Sequence, residues 1–72
     1  MFIPNKSYRH KSPQVDYDIF IVSSRKLDGF YELKLKYVDK ATNSVVKWPS
    51  SAEEEDVAMF ESAALLWSPI GE

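Results

Sequence analysis

Seventy-two residues make one domain at most, and the chain has no Cys and a single His, so disulfides, zinc-thiolate centres and histidine metal clusters are excluded. With 44% hydrophobic and 14% aromatic residues the chain is too apolar for full disorder, yet no apolar run reaches the roughly 20 residues of a membrane helix. The net charge of −2 hides a sorted distribution: the first 14 residues carry Lys6, Arg9 and Lys11 and no acid, whereas everything from Glu53 onward carries Glu53, Glu54, Glu55, Asp56, Glu61 and Glu72 and no base.

Residues 1–14 read as a flexible basic arm. Pro4 and Pro13 disfavour helix, Asn5, Ser7 and Ser12 favour turns, and no hydrophobic period is sustained. The Met-Phe-Ile-Pro start lacks the charged and apolar regions of a signal peptide, and the lack of Cys suits a reducing cytoplasm. A first strand is predicted from Val15 to Ser23. Val15, Tyr17, Ile19 and Ile21 take one face, and Asp16, Asp18, Phe20 and Val22 take the other. Asp28-Gly29 marks a turn, although Ser24–Gly29 is long for a tight hairpin. The second strand, Phe30 to Val38, has the clearest period of two. Tyr31, Leu33, Leu35 and Tyr37 alternate with Glu32, Lys34 and Lys36. Asp39 to Ser44 is a polar turn, and Val45 to Trp48 a short third strand stopped by Pro49.

The remainder predicts a helix. Ser51 and Glu54 form a capping box, and Glu53 to Asp56 sit at the positive end of the helix dipole. Val57, Phe60, Ala64 and Trp67 then fall on one helical stripe, which Ser68-Pro69 ends. The fold class expected is therefore α+β. A three-stranded antiparallel sheet is packed by one C-terminal helix, with a mobile arm at 1–14, a β-β-β-α domain at 15–68 and a short tail at 69–72. The expected core is Tyr17, Ile19, Ile21, Leu33, Leu35, Tyr37 and either Val46 or Trp48, against Val57, Phe60, Ala63, Ala64 and Trp67.

Chemistry is hard to place on these residues. A nucleophilic triad needs a rigidly held His, and His10 falls in the arm. With Gly29 and Gly71 alone there is no glycine-rich phosphate loop. The expectation is a protein with no catalysis and no cofactor. Partner contacts are expected at three places. The arm offers Lys6, Tyr8, Arg9, His10 and Lys11, where cations interleaved with an aromatic suit RNA or an acidic protein groove. The second face of the first strand offers Phe20 and Val22, left bare by a helix on the opposite face. The acidic run offers Glu53 and Glu55.

Assembled, the arm Lys6-Ser7-Tyr8-Arg9-His10-Lys11, the hairpin Tyr17 to Val38 and the acidic-capped segment Ser51 to Trp67 resemble the small RNA-polymerase-binding transcription regulators of bacteriophages, of the inhibitor and antitermination type. The resemblance is one of size and layout, with no diagnostic motif. It implies a monomeric protein, free of membranes, that docks on a host RNA polymerase subunit in the bacterial cytoplasm, with the arm near RNA at the exit channel. Two other readings stand beside it: inhibition of a host or defence nuclease through the acidic helix start, and assembly through an open strand edge.

Overall fold

A computed structural model describes residues 2–46 and 54–70. Its elements are β1 (Ser7–His10), β2 (Tyr17–Leu27), β3 (Phe30–Asp39), β4 (Val45–Val46), β5 (Glu55–Phe60), α1 (Glu61–Ala64) and β6 (Trp67–Pro69). The six strands form one antiparallel sheet in the order β4-β3-β2-β1-β6, with β5 also pairing β3. β4 and β5 therefore share one flank of β3: Val46 lies opposite Tyr37 and Glu55 opposite Leu35. Five columns of strand result.

The β2–β3 hairpin is the spine. Its register runs from Tyr17 opposite Asp39 to Leu27 opposite Phe30, with a bulge that leaves Val22 without a counterpart. The bulge shifts the pattern, so Ser24 and Lys26 fall on the side that Ile19 and Ile21 occupy before it. Polar residues at inward positions make β2 look finished at Ser23 in the sequence. Pairing with β3 carries it on to Leu27. The turn is then only Asp28-Gly29, and Gly29 takes the positive φ of 86° that an L side chain resists. The turn after β3 is held by Asp39, whose Oδ1 accepts the amides of Ala41 (2.8 Å) and Thr42 (3.1 Å), with Asn43 at φ 60°.

Hydrophobic burial lies on one face, called inner here. Ile19, Ile21, Leu33 and Leu35 are at most 2% exposed, joined by Tyr8, Tyr31, Phe2 and Ala64. Tyr17, Tyr37, Val57, Met59 and Trp67 pack around them half-buried. The inward set of β3 is the one its alternation predicts.

Two expectations are overturned. The first is the flexible arm. Ser7–His10 is a strand inserted between β2 and β6, with Tyr8 opposite Ile19 and 3% exposed. Phe2 folds under the sheet, edge-on to the rings of Tyr8 (4.9 Å) and Tyr31 (5.5 Å). The amide of Ile3 donates to the Tyr8 hydroxyl at 2.8 Å. Four residues carry too little pattern to announce a strand. It forms because the far edge of β2 offers backbone groups that need partners.

The second correction is the C-terminal helix, and with it the α+β class of three strands plus one helix. Residues Glu55–Phe60 are a strand and the helix is the single turn Glu61–Ala64. Glu54 is exposed and outside any element, while the proposed cap Ser51, together with Trp48 and Glu53, lies outside the described residues. A capping box contributes about 1 kcal/mol, and isolated helices of this length are marginal in water. Against that, β5 pairs six residues with the open flank of β3 and lays Val57 and Met59 beside Leu33 and Tyr31. The same six residues satisfy a period of two, and the longer-range pairing prevails. Phe60, expected in the core, is 72% exposed as a result. The chain then crosses the inner face from the β5 flank to the β6 flank, and α1 drops Ala64 into the core on the way.

If the N-terminal segment is structural, Phe2→Ala should destabilise the protein by about 3 kcal/mol, the usual cost of emptying a buried aromatic site. Lys11→Ala, on an exposed residue, should stay within about 0.5 kcal/mol of wild type. Urea denaturation of both variants checks this; equal effects would restore a solvated arm.

Candidate functional site: the outer face of the sheet

Antiparallel partners share a face, so the register dictates what the opposite, outer side presents. Leu27, Phe30 and Phe60 form one row across β2, β3 and β5 at the hairpin end. Arg25, Glu32 and Ala58 form the next, then Ser23, Lys34 and Asp56. Ser7, Phe20 and Lys36 follow, and Arg9, Asp18, Val38 and Val45 span the far end with Ser68.

The first of these rows is apolar and the next two each set an acid against a base. Arg25 meets Glu32 at 3.6 Å with both side chains largely exposed, a contact of small energetic weight. Lys36 Nζ stands 6.0 Å from the centre of the Phe20 ring. Beside the bulge, an open depression of about 540 Å³ is lined by Ser23, Ser24, Arg25, Glu32, Lys34 and Asp56. Acids and bases line it in near balance, so it favours neither an anion nor a cation. The Leu27–Phe30–Phe60 row is the apolar feature. Leu27 and Phe30 are half-buried and Phe60 projects into solvent.

The far end holds a two-pronged polar contact. Arg9 Nε and Nη2 donate to Asp18 Oδ1 (2.9 Å) and Oδ2 (3.0 Å), a bidentate pair between β1 and β2. Asp18 is 7% exposed, while the Arg9 side chain is half in solvent. The hydrogen bond to Asp18, then its charge, raises the Arg9 pKa above the ordinary guanidinium value.

The expected contact residues are scattered by this geometry. Arg9 and Phe20 lie on the outer face; Tyr8 is core; His10 sits across from Trp67 with rings 4.9 Å apart. His10 Nδ1 accepts the Ser12 amide at 2.9 Å. Lys6 is half-buried, and its carbonyl accepts the Ile21 amide at 3.0 Å. Lys11 is exposed, and its amide donates to the carbonyl of Leu66 at 2.7 Å. Val22 is the bulge residue, half-buried. Glu55 faces inward opposite Leu35, and Glu53 is outside the described residues. Of the three cations expected on an arm, Arg9 is thus tied to Asp18 and Lys6 is half-buried. Sequence reasoning missed Leu27, Phe30 and Phe60. The Asp28-Gly29 turn was enough to pair Leu27 with Phe30, but Phe60 joins them only through β5.

On the inner side, Tyr17 stands edge-on to Tyr37 at 5.1 Å and tilted to Trp67 at 6.1 Å. Burial, then the neighbouring Tyr17 and Glu55, raises the Tyr37 pKa above its usual value. Among the described residues, no group of three or more His, Asp or Glu is placed to hold a metal ion, and no helix is long and apolar enough to cross a membrane. Comparison with protein-family models, with curated proteins and with solved structures gives no match.

Two measurements check the electrostatics. Removing Arg9 strands a buried carboxylate, whereas removing the charge of Asp18 leaves an arginine that water can solvate. Arg9→Ala should therefore cost more stability at pH 7 than Asp18→Asn, and the double variant should resemble Asp18→Asn. Chemical denaturation of the three gives the ranking. For Tyr37, the unfolded chain ionises first as pH rises, because the folded-state pKa is the higher one. Stability from this group is whole below about pH 10 and falls as pH climbs through the folded value. Tyr37→Phe should flatten that alkaline decline, measured as denaturation midpoints between about pH 9 and 11.

Proposed function

We propose that this protein is a non-catalytic binding module whose contact surface is the hairpin end of the outer sheet face. The observation that carries the reading is the Leu27–Phe30–Phe60 row, with Phe60 72% exposed at its end. One exposed apolar side chain is ordinary, but a row across three strands is a patch. Full burial of a phenylalanine is worth about 2 kcal/mol, so a partner that covers Phe60 gains from it. The charged pair Arg25–Glu32, in the adjoining outer row, borders the patch, as a polar rim borders an interface core.

The RNA-polymerase partner implied by the resemblance attaches to this proposal as the first partner to look for. With β1 inside the sheet, the grip would come from the outer face and not from a free basic arm. The nuclease-inhibitor reading loses its premise, because the acidic run no longer opens a helix.

A photoreactive phenylalanine analogue at position 60 should crosslink one discrete partner in bacterial lysate, and the same group at exposed Gln14 should not. Mass spectrometry of the adduct then reads whether the partner is a polymerase subunit. Equal labelling from both positions, or none from position 60, would overturn the assignment of this surface.

A further inference from the structure

We infer that the edge of β5 turned away from β3, unpaired among the described residues, accepts an extended, basic segment of a partner protein as an added strand. The inference deepens the proposed binding role by naming the partner's shape and charge, and it rests on that reading.

The two sides of the sheet end differently. β6 is three residues long and includes Pro69, which has no amide to offer a further strand. β5 is six residues long, contains no proline, and uses one side for β3. Among the described residues, no backbone group pairs with its other side. Such an edge is a template for strand addition, in which main-chain hydrogen bonds supply affinity and alternate side chains supply selectivity.

Charge selects the occupant. Glu55 and Asp56 open the strand, Glu54 precedes it and Glu61 follows it, with no base anywhere from Glu53 to the C-terminus. Lys34 lies opposite Asp56 and Lys26 bridges Glu61, but no described cation lies opposite Glu55, whose register partner is Leu35. A second copy of this chain, paired antiparallel about the strand centre, would set Glu55 and Asp56 against its Phe60 and Met59 and offer the acids no opposite charge, which disfavours that pairing. A cationic strand has the reverse preference.

The register makes the requirement more specific. On the outer face β5 presents Asp56, Ala58 and Phe60; on the inner face it presents Glu55, Val57 and Met59. A neighbouring strand therefore meets acids at one end on both faces and apolar groups at the other. Its own complement is a pair of adjacent Lys or Arg residues at one end and β-branched or aromatic residues over the next four positions. Phe60 gives the added strand an apolar neighbour at its far end, continuous with Phe30 and Leu27.

The test uses the full chain and synthetic peptides. A seven-residue peptide of alternating valine and threonine ending in Arg-Lys is titrated against the ¹⁵N-labelled protein. A second peptide ends in Glu-Asp, and a third keeps Arg-Lys but is N-methylated at alternate amides. The Arg-Lys peptide should bind roughly tenfold tighter than the Glu-Asp peptide, the scale of one to two exposed charge pairs. It should also slow hydrogen exchange of the outward amides of Glu55–Phe60. N-methylation should abolish both effects, because it removes the donors and leaves the charge. Exchanging charges, with the Glu55→Lys/Asp56→Lys double variant and the Glu-Asp peptide, should restore binding. Equal binding of the N-methylated peptide would mean charge attraction alone and would overturn the inference. So would absence of binding, or no preference between Arg-Lys and Glu-Asp. A concentration-dependent dimer that protects the same amides would place a second copy on the edge and overturn it too. If crosslinking from position 60 still captures a discrete partner while the peptides fail, this inference falls and the proposed binding role stands.

Discussion

Backbone hydrogen bonding along β3 is the constraint on which the remaining structure depends. β3 is ten residues long and its inward side chains Tyr31, Leu33 and Leu35 are buried, so its amides and carbonyls have little access to water on either flank. β2 satisfies one flank along its whole length. The other flank needs a second set of partners, and β4 and β5 provide them in succession. This demand converts residues 55–60 from a locally plausible helix into a strand. It also fixes where the chain must cross to reach β1, and so it places Ala64 in the core.

The same logic acts at the far side of β2. That strand would end the sheet with Ile19 and Ile21 uncovered if the N-terminal segment stayed in solvent. β1 pairs with it, Tyr8 covers Ile19, and Phe2 closes over Tyr8 and Tyr31. β6 then pairs with β1, helped by the Ile70 amide donating to the Ser7 carbonyl at 3.0 Å. In a chain of 72 residues, few apolar side chains are spare. Recruiting both ends of the chain enlarges a core that β2 and β3 alone leave thin.

Surface chemistry follows from these pairings. Arg9 stands beside Asp18 because β1 is in register with β2, so one of the arm's cations becomes an internal strap. Phe60 stands in solvent because β5 alternates with a period of two. A binding face thus arises where the demands of the sheet place an aromatic ring outside the core.

Several features were legible in the sequence by itself. The span of β3, its inward set Tyr31, Leu33, Leu35 and Tyr37, the inward Tyr17, Ile19 and Ile21 of β2, and the polar turn at Asp39 to Ser44 all follow from alternation and turn chemistry, which are local. Composition alone excluded thiolate chemistry. Tertiary structure decided the rest. Residues 55–60 fit both a helical stripe and a strand, and only the open flank of β3 chooses between them. Ser7 to His10 has too few residues to reveal a period, and only the edge of β2 makes it a strand. The continuation of β2 past the bulge depends on β3 across from it. The row Leu27–Phe30–Phe60 joins residues 33 positions apart in the chain, by way of two pairings that no local pattern encodes. Side-chain period is written into neighbouring residues, but the choice of backbone partner is a property of the whole sheet.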